Sequence, residues 1–153
     1  MNTSKHFAAA AAALFVAAGA HAENPKPGQW TRQTSMSADG KQWSQLPPSQ
    51  GCLTPQDAGQ SIEQLLQKMV DQATQSGCRA QNLQAGAGKA SGRFECPQPG
   101  GTGTVDVQAT YSADRYEMNM VGTNLADRNG SGVVIPKVYM KHEGRNVGAC
   151  KAG

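Results

Sequence analysis

Past residue 22 the sequence has a single histidine, and nowhere does it have a run of basic residues or two cysteines closer than 18 positions. Its longest apolar run, Phe7 to Ala20, is shorter than the roughly 20 residues that a membrane-spanning helix needs. Each absence excludes something. Without a cationic cluster, nucleic acid and anionic membranes are poor partners. Cysteine-built zinc sites place ligands two to four residues apart, so these cysteines are no zinc motif, and no cofactor is expected. Histidine-dependent nucleophilic catalysis would have to be built on His142, since His6 and His21 fall in the first 22 residues. His142 stands next to Glu143-Gly144, which reads as a turn, so a solvated ring is expected.

What is present at the start is Lys5, then an alanine-rich apolar run, then Ala20-His21-Ala22. That order is a secretory signal with a small-x-small cleavage site, predicting signal 1–22, an extended leader 23–28 and one domain over 29–153. No integral membrane segment is expected after cleavage. Removing Lys5 from the 14 basic residues leaves 13 against 11 acids, a net charge of +2.

All four cysteines, Cys52, Cys78, Cys96 and Cys150, lie beyond the signal, and an even count in an oxidising compartment reads as two disulfides. The stretch from Cys78 to Cys96 is centred on Gly86-Ala87-Gly88. If the chain turns at Ala87, paired residue numbers sum to 174, which sets Cys78 opposite Cys96 within disulfide reach. Cys52 then pairs with Cys150.

Trp30, Arg32, Thr34 and Met36 alternate along a first strand, and Asp39-Gly40 signals a hairpin whose return strand carries Trp43. Pro47-Pro48-Ser49-Gln50-Gly51 breaks the pattern. Thr54-Pro55-Gln56-Asp57 has a hydroxyl cap and proline at the first helical position, and Ser61 to Gln64 restates a capping box after Gly59. Ile62, Leu65, Leu66, Met69, Val70 and Ala73 then recur at three- and four-residue spacing, predicting the one strong helix, closed by Gly77. The helix's nearly neutral polar face points to a role covering a sheet rather than lying on a membrane.

A two-residue turn at Ala113-Asp114 pairs residues summing to 227. Val107, Ala109 and Tyr111 then meet Met120, Met118 and Tyr116 on one apolar face. Val133 to His142 forms a further strand, placed at an edge or bulge by Pro136. Arg145 to Cys150 forms the last. The fold class is α+β: a curved antiparallel sheet of about eight strands, a meander of hairpins, packed on one amphipathic helix and held by two disulfides.

Few chemical constellations stand out. Asp39, Asp57, Asp114, Asp127 and Glu143 sit at turns and caps, and Asp106 and Glu117 are far apart on the polar sheet face, so paired-carboxylate catalysis is not expected. Met118-x-Met120 with Met140-x-His142 forms a soft ligand set that could hold Cu(I), although methionine on a dry face ordinarily fills a core. Gly100-Gly101-Thr102-Gly103 lacks the lysine of a phosphate loop and reads as a turn. Asn129-Gly130-Ser131 fits a glycosylation acceptor pattern and also a plain loop.

Pro27-Gly28-Gln29-Trp30, Cys52-Leu53-Thr54-Pro55-Gln56-Asp57-Ala58, the isolated Cys78 and Cys96, GTGTVDVQATYSADRYEMNM and Gly144 to Cys150 together resemble the bacterial domain-of-unknown-function family 3617. The likeness covers nearly all of the chain past the signal, with Ala113 departing from a turn that often has glycine there. Members are typically small exported proteins of Gram-negative bacteria, so the resemblance implies a periplasmic location, and it brings no catalytic or ligand residues. The expected function is a non-enzymatic structural or accessory envelope protein, or a module binding an envelope protein partner. The alternative is a carrier of a small apolar ligand or Cu(I) on the sheet face with Met118, Met120, Met140 and His142.

Overall fold

The structure is a computed structural model that describes residues 24–98, 101–126 and 133–150. The expected signal segment, Gly100 and the Asn129-Gly130-Ser131 pattern lie outside the described residues.

Alternation from Gln29 onward gives strand β1 (Gly28–Ser37). The Asp39 carboxylate accepts from the backbone N–H groups of Lys41 and Gln42 at 2.8 and 2.9 Å and from the Ser37 hydroxyl at 3.0 Å. Gln42 first, then Lys41 and Ser37, hold its carboxyl below the usual range. These bonds organise a wide loop in place of a tight hairpin. The return strand β2 is only Ser44–Gln45, and Trp43 falls before it, exposed. The two prolines interrupt the chain only briefly. Strand β3 (Ser49–Leu53) follows and pairs with β1 from Gly28↔Leu53 to Arg32↔Ser49.

Both helix starts form as their sequences require. Thr54 caps α1 (Pro55–Ala58), and Ser61 with Gln64 makes a reciprocal capping box on α2 (Ile62–Gln75). Past the end of α2, Gly77 is left-handed at φ 80°, the conformation glycine adopts without a side-chain penalty.

Strands β4 (Arg79–Gly86) and β5 (Lys89–Gln98) join through Ala87-Gly88, with φ values of 49° and 76°. This two-residue turn makes pairs near it sum to 175, as in Gly86↔Lys89, rather than the expected 174. The register shifts between Gln81 and Gln84, where Asn82 takes φ 51°, and from Gln81↔Arg93 outward the sum is 174. One extra residue in β4 thus puts Cys78 opposite Cys96. Their Cα atoms are 4.1 Å apart and the bridge is formed, as is Cys52–Cys150 at 5.4 Å.

Strands β6 (Gly101–Tyr111) and β7 (Arg115–Ala126) pair at sum 227 as expected. Gly101-Thr102-Gly103 is the start of β6 rather than a turn. The turn carries alanine because the leader covers it: Lys26 N–H donates to Ala113 O at 2.8 Å, Lys26 pairs with Asp114, and Ala113 is buried. The expected turn at Glu143-Gly144 is absent. Strand β8 (Val134–Gly148) runs through it for 15 residues, between β1 and β7. Pro136 lies beyond the last β1 partner, Ser37↔Tyr139, where no donor is required on that side.

The antiparallel open sheet has the order β2-β1-β8-β7-β6-β5-β4, with β3 also on β1. β3 and β4 therefore stand at opposite sides, and the helical segment between them crosses the sheet. The buried apolar residues among those described are Trp30, Ala58, Phe94, Val107 and Ala113, with no side chain below 2% exposure. Such a small core throws weight onto the bridges and ladders.

Serine replacement of Cys78 with Cys96 should cost ~3 kcal/mol, and of Cys52 with Cys150 nearer ~5, by chain-entropy scaling with loop length. Urea unfolding of the two variants measures both losses. Equal or reversed losses would mean that the bridges do not act by constraining the unfolded chain.

Candidate functional site

Register places Trp30, Arg32, Thr34 and Met36 of β1 on the face that also carries His142 and Met140 of β8, Tyr116, Met118 and Met120 of β7, and Val107, Ala109 and Tyr111 of β6. Above this face the α2 side chains Leu65, Leu66 and Met69 look down. The two surfaces do not meet fully: a cavity of about 460 Å³ lies between them, reached also by Leu53, Pro25 and Lys68. Leu65 and Met69 remain 36% exposed because they face this open space and solvent. A larger depression of about 760 Å³ along β4 to β7 has a mixed lining, with polar residues such as Gln84, Ser91, Gln108 and Asn119 beside Ala85 and Ala90. Small-molecule sites are mostly apolar with a few convergent polar groups, so the helix-sheet cavity is the better candidate.

One end of the cavity is built from rings. Trp30 stacks on Tyr116 with centroids 6.0 Å apart and 24° between planes, and Tyr116 tilts against His142 at 5.4 Å. Trp30 is fixed by donating its indole N–H to Lys26 O at 3.0 Å. Tyr116 lies over Gly144, its cross-strand partner, where an added Cβ would overlap the ring. The glycine read as a turn signal is instead the space the tyrosine fills.

His142 is correspondingly not solvated. It is half-buried in mid-strand, its Nδ1 2.8 Å from Thr34 Oγ1 and its Nε2 2.7 Å from the Tyr116 hydroxyl. A neutral imidazole has one N–H and one lone pair, so one hydroxyl accepts from the ring while the other donates to it. Burial, then the positive charge of Arg32, pushes His142 below its usual pKa; burial raises Tyr116. Both groups are therefore neutral at pH 7.

The soft-ligand residues come together in part. Met118 pairs directly with His142, and Met120 with Met140, in two adjacent cross-strand rows on one face. Met36, passed over in the sequence, extends the second row as the partner of Met140. Of these five, Met118 and His142 line the cavity. Both nitrogens of His142 are already engaged, so a metal there would have to displace Thr34 or Tyr116. Among the described residues no three His, Cys, Asp or Glu side chains are grouped to hold a metal.

Sequence reasoning missed Arg32 as a site residue, although its place between Trp30 and Thr34 on the apolar face was a signal. Its guanidinium lies against Gly51 of β3, near enough that a Cβ there would sit 3.8 Å from Nη2. Elsewhere the charges behave as surface pairs. Arg93 grips Asp106 in a two-bonded pair at 2.6 and 3.0 Å, and Lys141 reaches Glu117 and Glu143 at 3.6 Å each.

The family described as "Protein of unknown function (DUF3617)" matches residues 25–150, and the chain belongs to it. No curated protein and no solved structure matches the chain. No helix among the described residues is long and apolar enough to cross a membrane.

His142 gives a pH signature with a defined sign. Its folded pKa is below the ordinary value of about 6.5, so the unfolded chain binds the proton first, and stability falls as pH drops from about 6.5 toward the folded value. Denaturant titrations across that window should show this loss, and a His142→Gln variant should lack it. An identical slope in both would remove His142 as the cause.

Proposed function

We propose that this member of the family is an exported, periplasmic binding protein that carries a small apolar molecule between its helix and its sheet, without catalysing a reaction on it. The single observation carrying this reading is the unfilled, apolar space of about 460 Å³ beneath α2, within the roughly 300–1,000 Å³ of small-molecule sites. Had the Leu65, Leu66 and Met69 stripe closed onto Val107, Ala109 and Met118, only the outer surface would remain for an accessory role in the envelope. The open space favours the carrier.

An organic ligand suits the site better than Cu(I). The imidazole that would bind copper is spent as a bridge between two hydroxyls, whereas Trp30, Met69, Met118 and Leu53 offer adaptable apolar contact. The Thr34–His142–Tyr116 chain ties β1, β8 and β7 together and fixes the ring end of the pocket. Location in the periplasm is supported by the signal-like start and by two disulfides suited to an oxidising compartment.

A neutral apolar fluorophore, N-phenyl-1-naphthylamine, should bind the oxidised protein saturably at one site. Leu65→Trp and Ala109→Trp place bulk into the space from opposite sides, and each should weaken the probe about tenfold, a loss near 1.4 kcal/mol. Fluorescence titration with circular dichroism on the same samples checks both binding and fold. No saturable binding to the wild type, or undiminished binding to both folded variants, would sink the carrier reading.

A further inference from the structure

The cavity's polar lining has one sign of charge. Arg32 and Lys68 reach it, and among the described residues no Asp or Glu does. The two cations are not equivalent. Lys68 donates to Gln60 Oε1 at 2.7 Å, so its ammonium is already drawn toward the helix start. Arg32 takes part in none of the ion pairs among the described residues. It projects from the apolar face between Trp30 and Thr34, and Gly51 leaves its guanidinium room beside the β3 backbone. Arg32 pairs across the strands with Gly144, whose partner on the other side is Tyr116, and this register places it at the ring end of the pocket.

Arg32 is exposed at the cavity's edge and has no carboxylate partner among the described residues, so its charge is available to an anion that enters the pocket. Its planar fork matches a carboxylate with two parallel N–H···O bonds, which are stronger than neutral hydrogen bonds. A dianionic phosphate would call for a second cation at the head group, whereas the fork of Arg32 alone matches a monoanionic carboxylate and Lys68 is bonded toward Gln60. Charge complementarity thus names one end of the ligand, and the apolar lining names the other.

We infer that the cavity takes an alkyl-chain carboxylate, its chain between α2 and the sheet and its head group paired with Arg32. The inference rests on the reading of the cavity as a binding site and adds the chemical class of its occupant. The chain lies over Met118 and Val107, and the carboxylate meets Arg32 close to the Tyr116 hydroxyl.

Isothermal titration at neutral pH of decanoate, decanol and decyl phosphate into the oxidised protein separates the two levels. Decanoate should bind about tenfold tighter than decanol, in line with a charge-assisted pair. Arg32→Gln should erase that preference while leaving decanol binding intact, and Arg32→Lys should keep part of it. Decanol thereby reports that each variant still has its cavity. Equal affinity for decanoate and decanol in the wild type, an undiminished preference in Arg32→Gln, or tighter binding of decyl phosphate would overturn the carboxylate assignment. Failure of all three compounds to bind would instead overturn the carrier reading beneath it.

Discussion

Cys52 stands immediately before the helical segment and Cys78 immediately after it, and this bracketing is the constraint on which the architecture turns. The first bridge ties the start of the segment to Cys150, two residues past the end of β8; the second ties its end to β5 through Cys96. Between them the chain passes from β3 on one side of the sheet to β4 on the other, a span of six strand steps at roughly 4.8 Å each. A 14-residue helix covers about 21 Å of such a crossing, so α2 with its flanks forms a strap held at both ends. Its position above the sheet follows from its tethers as well as from what it buries. That is how apolar side chains such as Leu65 and Met69 can face a space without collapsing into it.

Beneath the strap, one end of the pocket has a determined shape. Gly144 has no side chain, so Tyr116 lies across it, and the hydroxyl of that tyrosine meets His142, whose other nitrogen meets Thr34. Three neighbouring strands are thereby linked by side chains on the apolar face, where a polar group left unpaired would cost about 1–3 kcal/mol. Trp30 completes the wall by stacking on Tyr116 and by tying the leader to β1. The polar atoms of this wall satisfy one another, which leaves Arg32 as the charged group with capacity for a partner from outside.

Much of this was legible in the residues, and the failures have physical causes. The β6–β7 register followed from two strands agreeing on their dry face, and both helix starts from their capping residues. The Cys78–Cys96 pair came out correctly by an incomplete route. The turn uses two residues, not one, and the bulge at Asn82 restores the register; nothing in a polar, weakly specified strand announced that extra residue. Glu143-Gly144 misled because glycine followed by charge is the common turn signal, while here glycine serves a cross-strand ring 28 positions earlier. The same error turned His142 into a surface residue. Strand β3 was hidden behind Pro47-Pro48, whose effect ends one residue later. The helix-sheet cavity was not legible at all, because periodicity identifies which face is apolar and not how closely two such faces approach.

A small core and a large site belong together in this molecule. A domain of this size normally relies on filling its interior, and each void of methyl size or more costs stability. Here antiparallel ladders across eight strands satisfy the backbone, and two covalent links reduce the freedom of the unfolded chain. Stability supplied from those sources does not require α2 to pack tightly on Val107, Ala109 and Met118. The interior can then be kept open for something that is not part of the chain. The low aromatic content fits the same division: Trp30 and Tyr116 are gathered at one wall, while alanines at 90 and 109 keep the floor beneath the strap low. Larger residues at those two positions would fill part of the space that the alanines leave open.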